Sequence, residues 1–126
     1  MPAFTIEHLT PERLSEAWPI IRSSGLYPRP EWWLTDAVRL IGDGGGVLAA
    51  RAADGIVHGV AIYTLGPGRH FKKVLSIRSI VTFELRRDGP ARCALCEALD
   101  ELSLTLECKG IEMRDHLRSG PSMAFF

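Results

Sequence analysis

Residues 74–110 read VLSIRSIVTFEL, then RRDGPA, then RCALCEALDELSLTLECKG. The first run is long and largely apolar and predicts a strand. The last has leucine and alanine at three- and four-residue spacing and predicts an amphipathic helix. Between them lies a short basic loop with one glycine. A strand that enters a helix through such a loop points free backbone N–H groups, and the positive end of the helix dipole, at whatever the loop encloses. That is a good place to hold a phosphate. The rest of the chain reads as sheet and cover for this unit.

An uninterrupted strand alternates its side chains. On that rule Leu75, Ile77, Ser79, Val81, Phe83 and Leu85 share one face, and Val74, Ser76, Arg78, Ile80, Thr82 and Glu84 share the other, half-polar one. Pro90 suits the first position of the helix, where a missing N–H has no consequence, with Asp88 or Gly89 as N-cap. Ala94, Leu95, Ala98, Leu99, Leu102 and Leu106 form the apolar stripe, and Glu97, Asp100, Glu101 and Glu107 lie mostly off it. Gly110 is the expected stop, with Lys109 opposite the negative end of the dipole.

Outward from this unit, residues 3–9 alternate as a first strand. Thr10-Pro11-Glu12 opens a helix that carries Leu14, Ala17, Trp18 and Ile21 and ends at Gly25. Residues 31–41 form a second helix, with Trp33, Ala37, Leu40 and Ile41 inward. VLAARA and IVHGVAIYTL make a hairpin whose Asp54-Gly55 predicts a two-residue turn. Ile111–Arg114 is a short final strand.

The chain has 126 residues, a one-domain length, so residues 1–126 are expected to fold as a single domain. Lys plus Arg and Asp plus Glu both number 15, which gives no general attraction to nucleic acid or membrane. No apolar run approaches a membrane span, and the first residues lack a signal peptide's pattern; a cytoplasmic location is expected. Three cysteines, Cys93, Cys96 and Cys108, fall in the 90–109 helix. An odd count inside a helix argues against a disulfide framework, and the Cys93–Cys96 pair lacks the knuckle turn of a zinc site, so no metal is expected.

The run Arg86-Arg87-Asp88-Gly89-Pro90-Ala91 resembles the Arg/Gln-x-x-Gly-x-Gly/Ala loop of the GNAT acetyltransferase superfamily. In that family the loop follows the fourth strand, opens the third helix and wraps the pyrophosphate of acetyl-coenzyme A. The resemblance implies an α/β (α+β) fold of order β-α-α-β-β-β-α-β, with a mixed central sheet and helices on both faces. It implies acetyl-CoA or another acyl-CoA as co-substrate. Arg86, Arg87, Asp88, Gly89, Pro90, Ala91 and Arg92 would surround the pyrophosphate, and backbone groups of Val81 and Phe83 would pair with the pantetheine arm. The implied activity is N-acyl transfer to a small-molecule or peptide amine. The alternative is a catalytically degenerate protein of this fold, acting as a CoA-binding, dimerisation or regulatory module. That alternative draws on departures from the pattern. Residues 116–126 are too few for the fourth helix and two further strands, the family's acidic tyrosine has no position to map onto, and Pro90 removes one amide. The tail 116–126 is expected to form an edge strand or an interface, which makes a homodimer attractive.

Two side chains stand out as chemical candidates. Glu84, at the end of the central strand, has the carboxylate that a general base requires, and the commoner role for such a residue is an exposed partner for Arg78 or Arg86. Tyr63 could protonate a leaving thiolate, and half-buried strand tyrosines are more often structural. His58 and His70 have no partner visible in the sequence. Of Trp32 and Trp33, adjacent on a helix, one is expected in the core and the other at a groove or interface.

Overall fold

The strand expected at residues 74–85 is observed over Lys73–Thr82, inside a five-stranded sheet with one strand between it and the sheet's margin. The structure is a computed structural model that describes residues 4–67, 73–84 and 89–113. Its strands are Thr5–His8 (β1), Gly46–Arg51 (β2), Val57–Pro67 (β3), Lys73–Thr82 (β4) and Gly110–Met113 (β5), and they lie side by side in that order. Neighbours β1 to β4 are antiparallel, and β5 runs parallel to β4. A parallel neighbour needs a crossover, and helix Pro90–Thr105 (α3) supplies it. A 3-10 helix, Pro11–Ala17, runs directly into Trp18–Ser24 (α1), and Pro30–Gly42 (α2) follows. The expected α+β order with a mixed sheet is the one observed.

The sheet is buried on both faces. Val47, Ala49, Val60 and Ile62 pack against the helices from residues 11 to 42, with Leu14, Ile20, Ile21 and Trp33 opposite them. Leu48, Ala50, Ala61, Tyr63, Leu75 and Ile77 pack with Ala91, Leu95 and Leu99 of α3. Burial on two faces explains why β2 and β3 read as continuous apolar runs rather than as alternating ones. No described helix is long and apolar enough to cross a membrane.

Four local expectations are corrected. Alternation along β4 breaks in the middle. Ile62 pairs with Ser79 but Tyr63 pairs with Ile77, so Arg78 is an extra residue, a β-bulge. Beyond it the faces exchange: Ile80 joins Leu75 and Ile77 against α3, and Val81 packs on the opposite side. The first helix is 3-10 before it is α, because Pro19 lacks the N–H that an α-helical bond back to Ser15 would use. The β2–β3 turn is longer than two residues. Ala52 N–H donates to Ile56 and Gly55 N–H to Ala52, and only Gly55, at φ 85°, is left-handed. Asp54 has a negative φ and instead accepts the Ile56 N–H at 2.8 Å, which rules out a primed two-residue turn. Finally, α3 ends at Thr105, not at Gly110. Glu107 takes the left-handed position at φ 58°, with Cys108 N–H donating to Ser103 and Glu107 N–H to Leu104. Those two bonds are a Schellman motif with glutamate where glycine is usual.

Candidate functional site

Helix α3 begins at Pro90 with Gly89 as its N-cap, in extended conformation. Glycine has no side chain to satisfy the first amides, and Glu84 does so from outside the helix. Its Oε2 accepts the N–H of Ala91 at 2.6 Å and its Oε1 that of Arg92 at 3.2 Å. A carboxylate at this end also meets the positive pole of the helix dipole. The bulge at Arg78 makes the contact geometrically available, because it turns Ile80, Thr82 and Glu84 toward α3. Gly59 of β3 lets the helix start come close: a Cβ there would stand 3.1 Å from Leu95 Cδ1 and from Thr82 Cγ2, and 3.5 Å from Ala91 Cβ. A Cβ on Gly89 would overlap the Glu84 carboxylate itself. Glu84, Gly89, Ala91 and Arg92 are therefore brought together, whereas Arg86, Arg87 and Asp88 lie outside the described residues.

The strand leading to this point has an open side. The register of β4 with β5 runs from Val74 to Ile77 and stops there, so among the described residues nothing pairs with the outer edge of β4 after Ile77. Which backbone groups face that edge follows from the inner ladder. Phe83 N–H donates to His58 O at 3.1 Å, so this amide, expected to face a ligand, faces β3 instead. Antiparallel pairing alternates, and Val81 therefore also turns inward, leaving Ile80 and Thr82 to the outer edge. Ile80 O accepts from Arg92 Nη2 at 3.2 Å, which draws the guanidinium across the strand from the first turn of α3.

Tyr63 lies elsewhere. It is buried beneath α3, and its hydroxyl is 2.9 Å from His8 Nε2 on β1. On the way it crosses Gly46 of β2, where a Cβ would stand 2.6 Å from the hydroxyl. The ring thus points toward β1, away from the open edge of β4. Burial raises the phenol's pKa, with Cys108 adding to the effect, and partial loss of water around its ring lowers that of His8, an exposed residue. Tyr63 pairs with Ile77, whereas Glu84 follows Phe83 at the level of His58. About six residues of strand rise separate the two levels, roughly 20 Å. Tyr63 and Glu84 do not share one reaction centre.

On the other face, Tyr27 donates a short hydrogen bond to Asp36, and its ring packs at 5.6 Å from Trp33. Burial, then Asp36, raises the Tyr27 pKa, and the charge of Arg78 opposes them. Sequence reading missed this pair because residues nine apart, one of them in a loop, carry no periodic signal. It missed the His8–Tyr63 bond for a related reason: β1 and β3 are not neighbours, and the contact crosses β2 only because Gly46 is small. Trp32 is the exposed member of its pair, at 58%, and Trp33 is buried and donates Nε1–H to Leu14 O at 3.0 Å. Neither Cys96 nor Cys108 is in a disulfide, nor is the exposed Cys93. Among the described residues no cluster of His, Cys, Asp or Glu is arranged to hold a metal.

No protein-family model matches the sequence, and no curated protein matches it. Solved structures do match in shape. An aminoglycoside N-acetyltransferase, AAC(6')-Iy, in complex with CoA superposes with a TM-score of 0.77 at 14% identity, over 98% of this chain and 84% of that one. A GNAT family acetyltransferase from Staphylococcus aureus gives 0.69 at 20% identity, over 94% and 90%. A transcriptional regulator from Bacillus halodurans gives 0.73 at 16% identity, over 97% and 88%.

Proposed function

From the premise that this chain has the GNAT acetyltransferase fold, we propose that it is an acyl-coenzyme A-dependent N-acyltransferase acting on a small-molecule or peptide amine. The observation that carries this reading is that, among the described residues, no strand pairs with the outer edge of β4 after Ile77, and that edge leads directly to the N-terminal turn of α3. An extended pantetheine arm can add to that edge as a further strand, using the outward backbone groups of Thr82 and the N–H of Ile80, whose carbonyl Arg92 already engages. The diphosphate then reaches Gly89–Arg92. Laid along the edge in that direction, the arm carries its thioester toward the fork where β4 and β5 part, at Ile77 and Met113. An outward amide of β4 polarises the thioester carbonyl. The neutral amine attacks it, the C–N bond forms, the C–S bond breaks, and coenzyme A leaves as a thiolate that takes up a proton. The reaction requires no metal.

A ligand that binds only the folded protein raises its melting temperature. CoA at about a hundred times its Kd stabilises by about 2.7 kcal/mol. A thermal scan with CoA and acetyl-CoA tests the reading, followed by thiol release across a panel of amines. A rise in Tm together with thiol release supports the acyltransferase; no shift with either ligand overturns it.

A second reading, a protein of this fold that binds or regulates without acyl transfer, is favoured by one observation. The Glu84 carboxylate occupies the amides that a diphosphate would use. Binding of CoA without thiol release from any amine supports this second reading against the first.

A further inference from the structure

We propose that Glu84 is an internal competitor of the diphosphate: its carboxylate holds the first amides of α3 and must swing aside before an anionic ligand can sit there. The identity of that ligand rests on the acyl-coenzyme A reading above. Both carboxylate oxygens are engaged, one by Ala91 N–H at 2.6 Å and the other by Arg92 N–H at 3.2 Å. Gly89 borders the same space so closely that a Cβ there would overlap the carboxylate. The seat therefore has room for one anionic group, and two would repel at short range. The strand itself need not move. Phe83 remains tied to His58, and rotation of the Glu84 side chain alone vacates the amides. Glu84 on this account touches no reacting atom. It is a positioning residue that keeps the helix start ordered when no ligand is present and lowers the apparent affinity for the ligand.

The test is calorimetric titration of coenzyme A, and separately of inorganic pyrophosphate, into the wild-type protein, Glu84→Ala and Glu84→Gln. Removing the competing carboxylate is expected to lower the Kd for both ligands at least about tenfold in Glu84→Ala, because two charge-assisted bonds no longer have to be broken first. Glu84→Gln, which keeps the shape and one acceptor but not the charge, is expected to move in the same direction by less. The unliganded Tm is expected to fall in both variants. A residue that served only as a helix cap would lower Tm without tightening binding. Equal affinity in all three proteins overturns the competitor role and leaves the acyl-coenzyme A reading standing. Tighter binding by the wild type also overturns it, by making the carboxylate a help. Binding by none of the three overturns both. Should Glu84→Ala fail to fold, the comparison of Glu84→Gln with the wild type decides in the same way.

Discussion

Gly59 shows how much one missing methyl group can matter. The first turn of α3 rests on it, with Leu95 and Thr82 each 3.1 Å from where its Cβ would be. Gly59→Ala reduces the freedom of the unfolded chain, a gain of about 0.4–1 kcal/mol, but overpacks the helix start at about 1–3 kcal/mol. The net expectation is a loss of about 1 kcal/mol, read as a lower urea midpoint with an unchanged m-value. Gly89 is a different case. Its φ of −67° is open to any residue, so its importance lies in the space it leaves to the Glu84 carboxylate. The sequence showed Gly89 and Arg92 as parts of one loop, and the structure sets them together. It did not show Glu84 as their partner, since simple alternation gives no hint of where Glu84 points relative to α3. Tyr63 was visible as a strand tyrosine, but its link to His8 depends on Gly46, the first residue of β2, which leaves room for the phenol.

At the level of elements, two of the departures from regularity are the bulge in β4 and the left-handed Glu107. Both were hidden for a physical reason. Arg78 is an ordinary strand residue, and only the register of its neighbours reveals it as the extra one. The end of α3 was sought at a glycine, because glycine takes a positive φ without strain. Here the chain closes its Schellman motif earlier and tolerates glutamate, so Gly110 is released to begin β5. A non-glycine residue at such a φ costs about 1–2 kcal/mol. Glu107→Gly should recover part of this, about 0.5–1 kcal/mol after the added freedom of the unfolded chain, measured as a rise in Tm. The stripe Leu95 and Leu99, by contrast, was legible because a helix packed on a sheet repeats its burial every three to four residues, and both side chains are fully buried against the sheet.

Across the whole molecule, a charge network fastens the helical layer to the sheet. Arg51 on β2 bonds Glu7 of β1 at 2.6 Å, Glu16 of the 3-10 helix, and the carbonyl of Gly55 in the β2–β3 turn at 2.9 Å. Arg13 closes the ring through Glu7 at 3.2 Å and Glu16 at 3.1 Å. The hydrogen bond from Arg51 is the main cause of the lowered pKa of Glu7, and the one from Arg13 is the main cause for Glu16. Because these carboxylates titrate lower in the folded state, their contribution is full above the ordinary value of 4.5 and is lost as pH falls through the lowered ones. Arg51→Ala should cost about 1–2 kcal/mol at pH 7, and the gap to wild type should close on acidification below that range. Chemical denaturation at a series of pH values checks both the size and the sign. The order of elements was readable from the sequence because each element carries its own periodicity. The network was not, because only Arg13 and Glu16 are neighbours along the chain, and nothing local links them to residues 7 and 51 before the sheet has formed.

The strand order of the sheet also bears on how the protein comes into being. Each strand lies beside the one made just before it, so a polypeptide leaving the ribosome always has its next pairing edge already synthesised. Two pairings must close over intervening helices, β1 with β2 across residues 9–45 and β5 with β4 across residues 83–109, and contacts that close a longer loop form later. The β2–β3–β4 ladder, whose far edge the acyl-coenzyme A reading depends on, has no helix between its strands and can therefore form before either of those pairings.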